Sequence, residues 1–416
     1  MFETRQKQER LILLGVELQE SENFSLSMQE LARLAQTAGA DIVHSYTQKK
    51  DRYDSQTFVG SGKLAELKRV IQTEEIDTMV VNNRLTPRQN SNLEAELGIK
   101  VIDRMQLILD IFALRAHSRE GKLQVHLAQL EYLLPRLSGQ GIMLSRQAGG
   151  IGSRGPGESQ LELDRRRIHK QISDIKKELR TVTKNHETVR NKRLSSQVFK
   201  IGLIGYTNAG KSTIMNLLTQ TYQYEADALF ATLDARTKQV YLKDHFQATL
   251  TDTVGFIQDL PTELIAAFAS TLEESRHVDL LLHVVDASDP YYEDHEKVVF
   301  NLLKDLKMAD LPRLTVYNKM DKVDKGFIAN HFPHVCLSAK SADAAIELRK
   351  QLLQVIKKLF IPFKVKVSQK NRYKLYELNK IALLNSYGAN KEIDQIEGYV
   401  SEKNKWKLEE FYNALY

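Results

Sequence analysis

The chain has 416 residues, 42% of them hydrophobic, and its formal net charge is +6. This length predicts two to four domains with ordinary cores, and the modest basic excess favours an acidic partner such as nucleic acid. The single cysteine, Cys336, excludes a disulfide framework and fits a reducing compartment. Because no signal-peptide pattern follows Met1 and no apolar run approaches ~18–20 residues, we expect a cytoplasmic protein without a membrane span.

Residues 1–117 alternate between strand and helix patterns. The predicted strands cover 11–16, 41–46, 77–81 and 99–102, and the clearest helices cover 27–38 and 105–116. This alternation predicts an α/β N-terminal domain with a largely parallel sheet. Within it, Phe58 to Lys68 reads as strand, glycine turn and helix. The Gly60–Lys63 turn is either a second phosphate site or, as we favour, a structural turn, because the pattern is too short for a P-loop.

Residues 118–196 predict a helical hairpin with a glycine-rich loop. Apolar residues recur at helical spacing from Leu123 to Leu134. Six of the ten residues from Gly149 to Glu158 are Gly or Pro, so we expect no helix or strand there. Two interpretations stay open, a flexible linker or a loop whose backbone lies against RNA. The candidate RNA-binding residues of this loop are Arg146, Gly149, Gly150, Arg154 and Gly155.

Helical spacing resumes from Ser159 to about Leu194. Its apolar seam has heptad spacing, which predicts packing on the preceding helix as an antiparallel pair. The seam consists of Ile168, Ile172, Ile175, Leu179 and Val182. The other faces are basic, with twelve Lys or Arg against six Asp or Glu between residues 158 and 200. A solvated face is the plain alternative, but we favour contact with RNA phosphates, led by Arg165, Arg166 and Arg167.

The eight residues from Gly205 to Ser212 fit the pattern G-x-x-x-x-G-K-[ST] between a predicted buried strand and a predicted helix. Their backbone N–H groups would face the phosphates of a nucleotide. Lys211 would reach the β- and γ-phosphates, and Ser212 would ligate Mg²⁺. The expected phosphate-binding residues are Gly205, Tyr206, Thr207, Asn208, Ala209, Gly210, Lys211, Ser212 and Thr213.

Three further motifs follow in order, each after a predicted strand. The D-x-x-G motif is Asp252, Thr253, Val254 and Gly255, the N-K-x-D motif is Asn318, Lys319, Met320 and Asp321, and the base-pocket motif is Ser338, Ala339 and Lys340. Asp252 would hold Mg²⁺ through water, and the N–H of Gly255 would face the γ-phosphate. Asp321 would accept two hydrogen bonds from N1 and N2 of guanine. Adenine lacks that donor pair, so the motifs predict a GTPase domain over residues 197–358.

The loop from Gly205 to Ser212 is called the P-loop below. A switch segment is expected between the helix that follows the P-loop and Asp252. Its predicted nucleotide-binding residues are Phe230, Ala231, Thr232, Leu233 and Asp234. Thr232 would complete the Mg²⁺ shell and sense the γ-phosphate, with Thr237 as the second candidate. With Lys211 and Gly255, Thr232 forms the predicted catalytic set.

Position 256 bears on the hydrolysis rate. Many GTPases carry Gln after D-x-x-G to orient the attacking water, but this chain has Phe256. Either another residue positions the water or Phe256 is turned away. We therefore expect slow turnover alone and strong stimulation by a large RNA-containing partner. Asn208 would either help to hold K⁺ beside the phosphates or, as we favour, only shape the loop.

Residues 359–416 predict a small α+β appendage. A strand is expected over 361–367, a helix from Asn371 to about Ser386 and strand-like alternation over 396–400. Its function is not readable from the sequence. Packing is the default role for Tyr373, Tyr376 and Trp406.

Taken together, these residues resemble the HflX family of translation-associated GTPases, over about residues 8–358. The stretches that carry the resemblance are Asp103-Arg104, 107–112, 120–125, 133–139, 149–158, 164–167 and 230–234. Ala148 and Ala235 depart from residues usual in the family, Gly and Pro respectively, without removing a ligand. The C-terminal appendage matches poorly.

The resemblance implies a monomeric, GTP-hydrolysing factor that binds the 50S subunit and the 70S ribosome, contacts 23S rRNA, and splits stalled or hibernating ribosomes. In the family, the glycine loop reaches toward the peptidyl transferase centre, which favours RNA contact for 149–158. Three alternatives stay open: a 50S assembly or quality-control GTPase, a GTP-sensing RNA-binding module with incidental hydrolysis, and a factor in antibiotic resistance.

Overall fold

The computed structural model describes residues 8–20, 23–145, 156–194, 198–219, 229–230, 236–243, 245–252, 255–257, 275–323, 326–368, 372–389 and 393–409. These fall into two compact units. The first holds the described residues up to Thr183 together with Leu229 and Phe230, and the second holds the rest. None of the described helices is long and apolar enough to cross a membrane.

The first unit begins with a four-stranded parallel sheet in the order β2-β1-β3-β4. The strands are β1 (Arg10–Glu17), β2 (Asp41–Lys49), β3 (Thr78–Val81) and β4 (Lys100–Asp103). Residues 11–16 of β1 are all buried, because a central parallel strand is covered on both faces. The predicted α/β domain with a parallel sheet is therefore confirmed.

Four helices connect these strands and follow the last one. They are α1 (Phe24–Thr37), α2 (Ser61–Glu74), α3 (Pro87–Leu97) and α4 (Arg104–Arg115). The start of α3 is set locally, because Thr86 and Gln89 form a capping box and Pro87 occupies the first turn. Asp103 caps α4 by accepting a hydrogen bond from the N–H of Gln106.

The glycine turn before α2 uses its polar groups internally. Phe58 has a φ of +65° and forms only an isolated bridge with Asp54, so the strand expected there is not formed. The N–H of Gly60 donates to Gln48 Oε1 at 3.1 Å, and Lys63 pairs with Glu66 at 2.7 Å. These partners favour the structural turn over a second phosphate site.

The first unit continues into two long helices, α5 (Arg119–Ser145) and α6 (Pro156–Leu194), although the residues of α6 from Lys184 onward belong to the second unit. Four of the five α6 residues expected in the seam pack against α5. They are Ile168, Ile172, Ile175 and Leu179, and they meet Leu123, Leu127, Leu130 and Leu134. The expectation that no helix forms between residues 149 and 158 is wrong for the last three of these residues. α6 begins at Pro156. Proline is tolerated in the first turn of a helix, because its missing N–H would have had no partner within the helix.

The second unit contains a six-stranded sheet in the order β10-β9-β8-β5-β7-β6, parallel except for the antiparallel pair β6 and β7. The strands are β5 (Phe199–Gly205), β6 (Arg236–Lys243), β7 (Phe246–Asp252), β8 (Leu280–Asp286), β9 (Arg313–Asn318) and β10 (His334–Cys336). The helices around it include α7 (Lys211–Thr219), α8 (Tyr292–Asp305) and α9 (Ala344–Leu359). In such sheets, ligands bind beyond the carboxyl ends of the strands.

The end of the described chain is an antiparallel sheet of three strands with one helix. Its elements are β11 (Ile361–Ser368), α10 (Arg372–Ile381), β12 (Ala382–Ala389) and β13 (Ile393–Val400), in the sheet order β11-β13-β12. The helix expected to reach Ser386 ends at Ile381, because the following residues pair with β13 instead. The packing role expected for Tyr376 and Trp406 is also wrong, since 55% and 52% of their surfaces are exposed.

Candidate nucleotide-binding site

The P-loop leaves β5 at Gly205 and enters α7 at Lys211. Two of its glycines are required by geometry. Gly205 has a φ of +150°, and a Cβ there would lie 2.2 Å from the carbonyl oxygen of Val284. Gly210 has a φ of +98°, and its Cβ would lie 2.3 Å from Nδ2 of Asn318. The backbone thus folds into a turn that side chains at these positions would block.

Lys211 is buried at the base of this turn. Its Nζ donates to the carbonyl oxygens of Gly205 at 3.1 Å and Tyr206 at 2.8 Å. Burial lowers the pKa of Lys211 to about 8, and the carboxylate of Asp252 opposes the shift. A phosphate beside the ammonium would raise this pKa again, because an opposite charge favours the charged form.

The two expected magnesium ligands of β7 and α7 lie together. Ser212 Oγ donates to Asp252 Oδ2 at 3.0 Å. A hydroxyl and a carboxylate suit Mg²⁺, which takes few protein ligands and keeps several waters. Among the described residues, no three His, Cys, Asp or Glu side chains cluster so as to hold a metal.

The N-K-x-D residues hold the P-loop from the other side. Asn318 Nδ2 donates to the carbonyl oxygen of Ala209 at 3.0 Å, and its Oδ1 accepts from the N–H of Ala339 at 3.0 Å. Lys319 Nζ donates to the carbonyl oxygen of Asn208 at 2.9 Å and to Asp286 Oδ2 at 2.6 Å. The structure therefore joins the first, third and fourth motifs in one hydrogen-bonded assembly.

The expected guanine-reading carboxylate stands open to solvent. Asp321 is exposed, and a hydrogen bond from Ser338 is the main cause that lowers its pKa. Lys340 adds a weaker electrostatic effect in the same direction. Met320 is half-buried, and its N–H donates to the carbonyl oxygen of Leu337 at 3.3 Å. The ionised carboxylate can accept the two donors that guanine presents.

Phe256 is tied to the P-loop through its backbone. Its N–H donates to the oxygen of Gly205 at 3.2 Å, and its oxygen accepts from the N–H of Thr207 at 2.8 Å. The side chain is only 2% exposed, so the ring is turned into the protein. Next to it, a Cβ on Gly255 would lie 2.9 Å from the Lys211 ammonium and 2.8 Å from Thr207 Cγ2. The D-x-x-G glycine thus lies close to the Lys211 ammonium.

Several predicted site residues lie outside the described residues. They are Arg146, Gly149, Gly150, Arg154, Gly155, Ala231, Thr232, Leu233, Asp234, Thr253 and Val254. Of the other candidates, Thr213 is half-buried in α7, and Arg165, Arg166 and Arg167 are exposed on α6. Their roles remain predictions.

Phe230 belongs to the first unit, where it is 2% exposed and meets Phe112 edge-on at 4.5 Å between ring centroids. The N–H of the preceding Leu229 donates to Thr37 Oγ1 at 3.2 Å. Thr237 lies in β6 and shares a hydrogen bond of 3.0 Å with Thr251. This pairing disfavours Thr237 as the magnesium-sensing hydroxyl.

Sequence reasoning missed Asp286 and could not foresee the state of the Thr207 hydroxyl. Asp286 orients Lys319, and its position at the end of β8 is the signal that could have identified it. Thr207 is 7% exposed, and its hydroxyl has no hydrogen-bond partner among the described residues. A phosphate oxygen or water beside Gly255 would satisfy it, because buried hydroxyls are nearly always paired.

Three family models match the chain. One, described as GTP-binding GTPase N-terminal, covers residues 25–113; the GTP-binding GTPase Middle Region covers 115–193; and a 50S ribosome-binding GTPase model covers 200–319. The chain is 49% identical to the GTPase HflX of Alkalihalophilus pseudofirmus, over 86% of this chain and 85% of that one. It is 40% identical to the GTPase HflX of Escherichia coli, over 78% and 76% respectively. A solved GTP-binding protein from Sulfolobus solfataricus in complex with GDP is 24% identical, over 84% and 99%, with a TM-score of 0.46.

Replacing Gly210 by alanine tests the junction of the P-loop with Asn318. The new methyl group meets the Asn318 amide and the backbone is strained at its positive φ, so we expect GDP affinity to fall at least about tenfold and the melting temperature to drop. Titration with a fluorescent GDP analogue measures the first effect. The matched control is Gly62→Ala, where a Cβ meets nothing within 4 Å. Equal affinities for both variants would contradict this geometry.

The lowered pKa of Lys211 predicts that GDP affinity depends on pH. Below about pH 8 the free ammonium is charged already, so affinity should be flat. Above it, binding must take up a proton, and affinity should fall by up to about tenfold per pH unit. Calorimetry between about pH 7 and 9 in buffers of different ionisation enthalpy measures this proton uptake. Lys211→Arg, which stays charged throughout, should remove the dependence, and proton-free binding of the unmodified protein would refute the assignment.

Proposed function

The chain belongs to the HflX family of GTPases, and on that premise we propose that it binds the 50S subunit and the 70S ribosome and splits stalled or hibernating ribosomes. Its reaction is the hydrolysis of GTP to GDP and phosphate. The splitting step is proposed to depend on the GTP-bound state, with hydrolysis and phosphate release returning the protein to its free form.

Support for ribosome binding comes first from α6. Arg165, Arg166 and Arg167 form an exposed cationic run on α6, where Arg166 pairs with Glu162 at 3.1 Å and Arg167 pairs with Asp164 at 3.3 Å. Exposed ion pairs of this kind are weak and exchange readily for phosphate. The match to a family described as 50S ribosome-binding agrees with this target. We propose 23S rRNA as the contacted molecule and a monomer as the active form.

For the reaction itself, we propose that Mg²⁺ is held by Ser212, by Thr232 and, through water, by Asp252. A bound Mg²⁺ supplies charge neutralisation at the phosphates. Lys211 grips the β- and γ-phosphates, and the N–H of Gly255 contacts the γ-phosphate. Asn208, whose backbone has a φ of +60°, is expected to shape the loop, and faster turnover in KCl than in NaCl would instead favour a role in holding K⁺.

The contact between Gly255 and Lys211 supports a nucleotide-dependent change. A Cβ at Gly255 would lie 2.9 Å from the Lys211 ammonium, so a γ-phosphate held by Lys211 would lie next to the D-x-x-G backbone, and GTP should shift that segment more than GDP does. Because the backbone of Phe256 is hydrogen-bonded to Gly205 and Thr207, that displacement would also strain these two hydrogen bonds to the P-loop. We propose that ribosome binding stabilises the displaced arrangement and thereby stimulates hydrolysis.

Sedimentation of purified 70S ribosomes with the protein tests the splitting proposal. We expect 30S and 50S particles with GTP or a non-hydrolysable analogue, and intact 70S ribosomes with GDP. If 70S ribosomes stay intact in every nucleotide while the protein migrates on isolated 50S subunits, splitting is refuted and a 50S assembly or quality-control role takes its place.

Neutralising Arg165, Arg166 and Arg167 together to glutamine tests the proposed RNA contact. Affinity for 50S subunits should fall, and its dependence on salt should become shallower by about two to three in the log–log slope. The matched control neutralises three exposed lysines of the second unit, Lys297, Lys304 and Lys358. Co-sedimentation over a range of KCl concentrations measures both, and an unchanged slope in the arginine variant would exclude these contacts.

A further inference from the structure

The second unit exposes aromatic side chains where none was expected. Among the described residues, five aromatic side chains other than histidine are exposed, and three of them lie in one region: Tyr241 (52%), Tyr376 (55%) and Trp406 (52%). Large rings are usually buried, because each removes considerable apolar area from water. A group of them left in solvent marks a binding surface rather than a core.

Specific contacts bring these residues together. Lys243 Nζ donates to the carbonyl oxygen of Leu384 at 2.9 Å, which joins β6 to β12. The ring of His245 lies 5.6 Å from that of Tyr376. Lys380, one turn along α10, places its ammonium 4.4 Å from the Tyr376 ring centroid and interacts electrostatically with Tyr241.

Trp406 is presented by a short 3₁₀ helix, Glu402–Leu408, that is firmly anchored. Asn404 and Leu408 are 2% and 4% exposed, and Lys403 pairs with Asp279 at 2.7 Å. The indole therefore faces solvent although its neighbours are fixed. Lys407 Nζ lies 5.8 Å from the indole and acts electrostatically on Glu377, the neighbour of Tyr376.

We call Tyr241, Tyr376, Lys380, Trp406 and Lys407 the aromatic–lysine surface. Its flat rings offer stacking faces, and its ammonium groups lie next to those rings. The segment from residue 359 to 416 carries ten Lys or Arg against seven Asp or Glu, so the surroundings favour an anion. A ligand that fits both features alternates flat, uncharged rings with negative charges.

We propose that the aromatic–lysine surface binds unpaired RNA. Bases stack on Tyr376 and Trp406, while Lys380 and Lys407 contact the phosphates. Paired RNA does not fit, because its base faces are covered by neighbouring pairs. This site is distinct from the arginines of α6, and it does not require that the protein split ribosomes.

Intrinsic fluorescence tests the proposal directly, because Trp406 is the only tryptophan in the chain. Titrating the full-length protein with a single-stranded oligouridine should quench the Trp406 emission, and raising the KCl concentration should reverse the effect. A duplex of the same length should quench far less. No quenching by the single strand, even at low salt, would overturn the proposal and leave this surface to a protein partner.

Ring-removal variants separate stacking from binding elsewhere on the chain. Tyr376→Ala and Trp406→Ala should each weaken binding of a fluorescently labelled oligouridine by about five- to 100-fold, whereas Tyr376→Phe and Trp406→Phe should keep most of it. Phe332→Ala, which removes an aromatic ring that is 83% exposed elsewhere in the second unit, is the matched control. Unchanged affinity in both alanine variants would show that RNA binds at another site and would refute the assignment.

Discussion

The side-chain amide of Asn318 is the contact on which the nucleotide site depends. It donates to the carbonyl oxygen of Ala209 in the P-loop and accepts from the N–H of Ala339 in the base pocket, both at 3.0 Å. The amide approaches so closely that only glycine fits at position 210. The next residue, Lys319, donates to the carbonyl oxygen of Asn208 in the same loop, and Asp286 holds the Lys319 ammonium in place. The phosphate end and the base end of the site are therefore positioned by one short segment at the end of β9.

A second constraint is the contact of the D-x-x-G segment with the P-loop. Gly255 and Phe256 lie on the P-loop, Gly255 near the Lys211 ammonium and Phe256 through two backbone hydrogen bonds. The same short segment thus lies beside the lysine expected to hold the γ-phosphate and beside the backbone of the P-loop. Since Phe256 is buried and apolar, it cannot orient an attacking water, and that task falls to another group.

The sequence was sufficient for the α/β fold, the order of the motifs and the seam of α5 with α6, because each rests on local pattern or spacing. It could not reveal Asp286 or the unpaired hydroxyl of Thr207, since both depend on contacts between segments far apart in the chain. It also misassigned Tyr376 and Trp406 to a core, because an aromatic residue at helical spacing looks the same whether it is covered or exposed. The sequence predicted a helix to about Ser386, but α10 ends at Ile381 because the residues that follow it pair with β13.

The measurement that tests this account most directly is the steady-state rate of GTP hydrolysis by the protein alone and with saturating 50S subunits or 70S ribosomes. With Phe256 locked against the P-loop, the rate alone should be slow, and ribosomal particles should raise it strongly, within the ~10³–10⁵-fold range that partner-supplied groups provide in related systems. Fast turnover by the protein alone, with no response to ribosomal particles, would contradict the account.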